Sequence, residues 1–218
     1  MGDPNEVKNV PVLNQEQRLR YINLTRKNDV RSWEKWIQEW KQTELVPLGA
    51  ACTGEFLGEI MITMALMRKN TTAVHCLLDD LIASNYPLSS LKYGRSNLLH
   101  CAVSTGNDHA ATEIWIKKIL ETGFPVALPD LDTSERETAA LGALKSGNIM
   151  GFSICLSYYT QEEWDGELSV FLAQLQSGDR GQNSQWAQEA REVMALTHRR
   201  LLGAEDLGGI GPPPRSRL

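Results

Sequence analysis

The sequence predicts an all-α fold, a short solenoid of four to five stacked helix pairs. Five helix-breaking sites recur along the chain at spacings of 42, 37, 41 and 31 residues; they lie at Asn28, Asn70, Asn107, Asn148 and Asp179. Between these breaks, apolar residues recur at the spacing of a helix face. The segments 95–123 and 138–159 also share one order: a short helix, a Gly-Asn break and a longer helix. A period of this size is typical of repeat proteins, whose helix pairs must stack to bury their apolar faces.

The first helix pair is predicted over residues 14–40. Residues 1–13 contain Pro4 and Pro11 and show no apolar period, so we expect a loosely ordered lead before the pair. Asn14 is a suitable N-cap for the first helix, and the polar run 27–29 ends that helix. The second helix carries large apolar residues at positions i, i+3, i+4 and i+7, namely Trp33, Trp36, Ile37 and Trp40.

The same two-helix form recurs through the rest of the chain. In pairs, the predicted helices span 59–67 and 71–83, 98–103 and 109–120, 138–144 and 149–159, and 167–175 and 184–202. Gly or Asn at a break has a physical reason, because a tight reversal needs a residue that tolerates positive φ. The Gly- and Pro-rich residues 203–218 cannot extend a helix and predict a flexible tail. We therefore expect one helical-repeat domain over residues 14–202.

The middle of the chain resembles the ankyrin-repeat family in three motifs. Residues 97–102, Asn-Leu-Leu-His-Cys-Ala, stand where the family has Thr-Pro-Leu-His-x-Ala. Residues 104–107, Ser-Thr-Gly-Asn, match the break between the family's two helices, and residues 119–123, Ile-Leu-Glu-Thr-Gly, match its closing motif. The likeness defines an ankyrin-like core over 59–160, with divergent capping helices on either side. No unit carries the proline of the first motif, and the repeat length varies. Other two-helix arrays with related periods stay open as alternatives, among them short helical phage-packaging proteins.

The resemblance implies binding through a concave face built from first helices and inter-repeat turns. The turn residues that we expect to contact a partner protein are Lys92, Tyr93, Arg95, Asp130, Asp132 and Arg136. It also implies that His100 tethers the adjoining turn by hydrogen bonds. Trp33 and Trp40 are further candidates for partner contact, since three tryptophans in one short stripe exceed what one helix seam needs and exposed Trp is a favoured interface anchor.

Composition indicates an ordinary folded protein of 218 residues with a formal net charge of −5. This acidic balance does not suggest a nucleic-acid-binding surface, although basic residues cluster at Arg18, Arg20, Arg26, Lys27 and Arg31. For this cluster we favour a solvated helix surface over a phosphate-binding surface. The apolar run 61–67 is too short to span a membrane.

The cysteines and the N-terminal residues predict a reducing compartment. Cys52, Cys76, Cys101 and Cys155 are far apart and lie among apolar residues, which favours buried free thiols over a disulfide framework. The polar N-terminal residues show no signal-peptide apolar region. We expect a cytoplasmic protein; export to a host cell without a cleaved signal stays open.

No motif for catalysis, metal or cofactor binding emerges from the residues. The pairs His75-Cys76 and His100-Cys101 occupy non-equivalent places in their units, with no short ligand spacing that would enforce a zinc site. Cys52 has no adjacent positive or His neighbour to activate a thiolate. We expect the acidic run 162–167 to be a solvated loop, with nothing apolar nearby to separate its carboxyl pKa values, and Asp79 and Asp80 to be surface acids.

These observations favour a non-enzymatic protein-interaction module, acting as an adaptor, an inhibitor or an effector-like protein. The alternative is an accessory subunit of a larger assembly, handling nucleic acid or serving phage or virus packaging through the basic N-terminal helix. An enzyme would need a cleft with convergent polar groups, and no such pattern occurs in the sequence. Neither a cofactor nor a small-molecule substrate is expected.

Overall fold

The computed structural model of the protein describes residues 10–27, 29–54, 59–94, 96–104, 109–129, 137–177 and 185–203. These residues are mostly helical, which confirms the predicted all-α class. Their α-helices are α1 (Gln15–Lys27), α2 (Val30–Lys41), α3 (Met61–Met67), α4 (Thr71–Ala83), α5 (Leu98–Ser104), α6 (His109–Glu121), α7 (Ala139–Ser146), α8 (Ile149–Ser157), α9 (Gln161–Ser177) and α10 (Gln185–Leu201). Within the described ranges, none of these helices has both the length and the apolar character needed to cross a bilayer.

Short elements that the sequence did not predict connect the helices. Two 3-10 turns lie at Leu48–Ala50 and Leu88–Ser90. Two strands of two residues each, β1 (Lys92–Tyr93) and β2 (Ser96–Asn97), pair antiparallel directly before α5. Such a short pairing gives no periodic apolar signal, and this is why periodicity alone indicated only a connecting turn there.

The chain forms two compact units that divide between Cys101 and Ala102. The first unit contains α1 to α4 and the β1–β2 pairing, and the second contains α6 to α10; the division falls within α5. The single domain predicted over 14–202 stays a prediction.

In the first unit, α1 and α2 begin where the sequence predicted. Asn14 caps α1, because its Oδ1 accepts the Gln17 backbone N–H at 2.9 Å while Gln17 Oε1 accepts the Asn14 N–H at 2.8 Å. This reciprocal pair of bonds is a capping box. Asp29 caps α2 by accepting the Arg31 N–H at 3.2 Å. Behind these helices, α3 buries its first six residues and α4 spans the predicted 71–83.

In the second unit, α7 and α8 form a tight helical reversal. Thr138 caps α7 by accepting the Leu141 N–H, and α7 ends at Gly147, whose φ of 78° lies in the left-handed region that glycine adopts without strain. Asn148 then caps α8. The predicted Ser-Gly-Asn break at 146–148 is therefore confirmed in its position. Gly147 supplies the positive φ, whereas Asn148 has a φ of −82° and acts as the N-cap.

An aromatic cluster forms the core between α8 and α9. The ring centroids of Phe152 and Phe171 lie 5.3 Å apart in an edge-to-face arrangement, and Tyr159 and Trp164 lie 6.3 Å from Phe171. All four side chains are buried. Aromatic pairs in this geometry add about 0.5–1.5 kcal/mol to what their buried area contributes.

The predicted solvated loop at 162–167 is wrong, because these residues form the first turns of α9. Thr160 and Glu163 form a capping box there: Glu163 Oε2 accepts the Thr160 N–H at 2.8 Å, and Thr160 Oγ1 accepts the Glu163 N–H at 3.3 Å. The Thr-x-x-Glu spacing is the sequence signal of this motif and was available in the chain. Trp164 lies in the same turn and is buried, so the helix is anchored to the core despite its acidic residues.

Candidate interaction surface

The tryptophan stripe of α2 belongs to the core. Trp33 and Trp40 are 0% and 3% exposed. Trp33 packs edge-to-face on Tyr21 of α1, with ring centroids 6.0 Å apart, and Trp40 Nε1 donates to the Val46 carbonyl at 2.8 Å. The prediction that Trp33 and Trp40 contact a partner is therefore wrong. One helix face holds all three indoles because α1 and α4 cover it from two sides.

The residues predicted to line a concave face are placed only in part. Lys92 lies in β1 and is half-buried, and Tyr93 follows it in the same strand. The remaining four, Arg95, Asp130, Asp132 and Arg136, lie outside the described residues. A partner contact at these six positions stays a prediction.

The basic N-terminal cluster separates into residues with internal partners and residues that face solvent. Arg20 donates to Glu39 Oε2 at 2.6 Å and lies 5.1 Å from the Trp36 ring centroid, so it joins α1 to α2. The solvent-facing members Arg26, Lys27 and Arg31 make no ion pair within the described residues.

Beside these cations, α1 also presents an apolar side chain to solvent. Leu19 is 56% exposed on α1. A groove of about 420 Å³ is lined by α1 residues, among them Leu19, Asn23 and Lys27. The face of α1 thus combines positive charge, amide groups and an exposed apolar side chain, which are the ingredients of a polar-rimmed protein contact.

Two asparagines perform the same task in the two units. Asn70 caps α4 by accepting the Ala73 N–H at 2.8 Å, and its Nδ2 donates at 2.8 Å to the Thr25 carbonyl in the last turn of α1. Asn148 caps α8 by accepting the Gly151 N–H at 2.9 Å, and its Nδ2 donates at 2.8 Å to the Val103 carbonyl near the end of α5. In both cases the acceptor lies 45 residues earlier in the chain. Each asparagine therefore starts one helix and ties it to the end of a preceding helix.

A buried carboxyl group joins three elements of the second unit. Glu167 Oε2 accepts the Thr138 hydroxyl at 2.8 Å and the Tyr159 hydroxyl at 3.0 Å. Burial raises the pKa of Glu167 above the ordinary value despite these two bonds, and it raises the pKa of Tyr159 well above its own. The expectation that nothing apolar perturbs the pKa values of this acidic run is therefore wrong for Glu167. The carboxyl oxygen of Glu167 therefore links the N-cap of α7 to the segment after α8 and to α9.

The two neighbouring acids of α4 differ in their environments. Asp79 is half-exposed and lies 3.4 Å from His75 Nε2, as expected of a surface acid. The prediction of a surface acid is wrong for Asp80, whose side chain is 2% exposed and whose Oδ1 lies 2.6 Å from Lys41 Nζ. The pair of opposite charges links α2 to α4, and the burial of the carboxylate makes its cation necessary.

The cysteines and histidines form no recognisable reactive centre within the described ranges. All four cysteines are free thiols; Cys76, Cys101 and Cys155 are buried as predicted, and Cys52 is partly buried. Burial raises the pKa of Cys76 to about 11 and of Cys155 to about 12, so both are protonated at neutral pH. No group of three or more potential metal-ligating side chains occurs among the described residues. His100 is buried in the first turn of α5, where its backbone N–H donates to Asn97 Oδ1 at 2.9 Å; its predicted tethering role stays a prediction.

Comparison of the chain with models of protein families, with curated proteins and with solved structures finds no match. The arrangement of its own residues therefore carries the functional inference.

Proposed function

We propose that this protein is a non-enzymatic protein-interaction module built from stacked helix pairs in the manner of an ankyrin repeat. The observation that supports it is the matched pair of tethers, Asn70 to Thr25 and Asn148 to Val103. A cap that also binds a helix 45 residues earlier is what stacking of successive helix pairs requires, because each pair must fix its neighbour. Proteins built in this way present extended side-chain surfaces and use them for binding.

The face of α1 is the contact surface that we assign to this module. Leu19 supplies apolar area, and Arg26 and Lys27 of the same helix supply positive charge that forms no ion pair among the described residues. Arg31 adds an exposed cation from the first turn of α2. An acidic partner surface with an apolar centre would complement it, and these cations would speed the encounter with that partner.

Affinity capture from the native source tests the proposal directly. The purified full chain is used as bait, and bound proteins are identified and quantified by mass spectrometry against Leu19→Asp as a second bait. Ile114→Asp is the matched control, since Ile114 is 50% exposed on α6 and the substitution makes the same chemical change. We expect a stoichiometric partner with wild-type and Ile114→Asp baits and its loss with Leu19→Asp. Absence of any stoichiometric protein would refute the module, and equal loss with both variants would refute the α1 surface.

An alanine scan then tests the concave face separately. Once a partner is known, its affinity is measured for variants at Lys92, Tyr93, Arg95, Asp130, Asp132 and Arg136. An unchanged affinity at all six would remove that face from the proposal and leave the α1 surface.

One observation favours a second candidate, an accessory subunit that handles nucleic acid. Residues 10–41 hold seven Lys and Arg against four Asp and Glu, a net charge of +3 in a chain of net −5. Binding to a short duplex would then weaken steeply as the salt concentration rises. Neutralising Arg26, Lys27 and Arg31 would make the slope of log association constant against log salt concentration less steep by about 0.9 for each phosphate that these cations neutralise in the wild type. Fluorescence anisotropy over a salt series measures this slope. No binding at low salt excludes the second candidate.

A further inference from the structure

Two arginines of the first unit line one small cavity. Arg18 comes from α1 and Arg68 from the residue that caps α3, and the cavity wall also includes Tyr21, Thr53 and Met64. The free volume is about 10 Å³, about the room needed for one water-sized oxygen. Two arginine side chains thus line a space with room for about one oxygen atom.

No carboxylate of the described residues neutralises either arginine. Arg18 Nε donates to the Leu13 carbonyl at 3.0 Å, and the Arg68 guanidinium lies 5.5 Å from the centre of the Tyr21 ring. The ion pairs of the described residues do not include either of them, in contrast to Arg20, which is paired with Glu39 at 2.6 Å. Two cations that line one cavity repel each other, and an anion bound there would reduce that repulsion.

The surrounding contacts hold the two cations in place. The carbonyl of Leu13 anchors Arg18, and the face of Tyr21 attracts Arg68 through a cation–π interaction. Gly54, with a φ of 77°, lets the loop lie directly against Arg18, since a Cβ there would be 2.3 Å from Nη2. Donors held in this way lose little conformational freedom when they bind an oxyanion.

Among the described residues, Glu59 lies near the cavity and limits what can bind. Glu59 Oε2 accepts the Thr53 hydroxyl at 3.1 Å, and this carboxylate makes no ion pair with Arg18 or Arg68. Its negative charge opposes a bound anion without neutralising the arginines. Replacing it with an amide keeps the acceptor for Thr53 and removes the opposing charge.

We propose that Arg18 and Arg68 form a binding site for a tetrahedral oxyanion of the phosphate class. One oxygen of the anion enters the cavity, and the others contact the exposed Arg68 guanidinium. The planar fork of arginine matches two oxygens of a phosphate, and such charge-assisted bonds are about twice as strong as neutral ones. This site is independent of the protein-interaction function proposed above, and the anion has two chemical sources, free phosphate or a phosphorylated side chain of a protein.

Inorganic phosphate is the first probe. In isothermal titration calorimetry, inorganic phosphate is titrated into the full chain, and chloride at equal ionic strength is the reference titrant. We expect phosphate binding by the wild type and a loss of about tenfold or more in affinity with Arg68→Ala, since hydrogen bonds to charged groups are stronger than those between neutral groups. Arg199→Ala is the matched control, because it removes the same charge from an exposed position of α10 outside the cavity, and we expect it to bind like the wild type.

Two further variants keep the test decisive. Glu59→Gln is expected to bind phosphate more tightly than the wild type, which a loss of folding could not imitate. Arg18→Ala is expected to lose binding as Arg68→Ala does, with circular dichroism to verify its fold. A phosphoserine peptide that binds more tightly than free phosphate would identify a phosphorylated protein as the source. Absence of binding by both probes, or equal loss with Arg199→Ala and Arg68→Ala, would overturn the proposal.

Discussion

Replacing Asn148 with Asp separates its two hydrogen bonds. The aspartate keeps an oxygen that can accept the Gly151 N–H, so the cap of α8 survives, but it loses the Nδ2 donor that reaches the Val103 carbonyl at 2.8 Å. Asp and Asn are about equal as N-caps. Any large loss of stability in Asn148→Asp therefore measures the tether and not the cap.

The expected loss follows from the burial of this hydrogen bond. Asn148 is 8% exposed, so water cannot readily replace the donor, and an unsatisfied buried polar group costs about 1–3 kcal/mol. The new carboxylate would also face the carbonyl oxygen of Val103, an acceptor against an acceptor. A favourable helix-dipole interaction of about 0.3–1 kcal/mol offsets part of this. We expect a net loss near 2 kcal/mol, which lowers the melting temperature of a chain of this size by about 4–8 °C.

Differential scanning calorimetry at neutral pH measures the shift. Asn14→Asp is the matched control: it makes the same substitution at the N-cap of α1, where the side-chain oxygen caps the helix and the residue is exposed. We expect this control to melt within about 1–2 °C of the wild type, since surface changes usually stay within about 0.5 kcal/mol. Equal shifts in the two variants would show that the bond to Val103 contributes nothing beyond the cap, and the stacking role of Asn148 would have to be abandoned.

Three further predictions concern packing within each unit. Glu167→Gln keeps the acceptor for its two hydroxyl donors. Because the folded pKa of Glu167 is raised, the free energy of unfolding of the wild type falls as pH rises through that pKa, and that of the variant does not. Urea titrations should therefore show the variant becoming more stable relative to the wild type between pH 4 and pH 7, and a constant difference would contradict this. Gly166→Ala, at an exposed position of α9, should stabilise the fold by about 0.5–1 kcal/mol because alanine has the higher helix propensity. Gly151→Ala should destabilise it, because the new Cβ would lie 2.7 Å from Asn148 Nδ2. Stabilisation by both substitutions would contradict this close approach. Lys41→Met should cost about 1–3 kcal/mol by leaving the carboxylate of Asp80 buried without its cation, and an unchanged chemical-denaturation midpoint would show that water replaces the lysine.

The polar cluster around Glu167 also explains an error of sequence interpretation. An acidic run with a single tryptophan resembles a solvated loop when only composition is considered. The Thr160–Glu163 box starts a helix there, and Trp164 and Phe171 then anchor one face of it in the core. Glu167 faces the N-cap of α7 as a result. Burial raises the pKa of Glu167, whereas the hydrogen bond from Thr138, 29 positions away, lowers it, and neither effect leaves a local pattern in the sequence.

What the sequence determined by itself was local: the all-α class, the starts of α1, α2 and α8, and the breaks at Asn70 and Asn148. The predicted breaks at Asn28, Asn107 and Asp179 lie outside the described residues. Helix periodicity, N-caps and tolerance of positive φ depend on a few consecutive residues, so they can be read along the chain. The tertiary structure alone decided which of these residues are hidden and which are paired. It buried Trp33 and Trp40, enclosed Asp80 with Lys41, and brought Arg18 and Arg68 to the wall of one cavity. The physical reason is that burial and charge pairing depend on residues that folding brings together from distant parts of the chain.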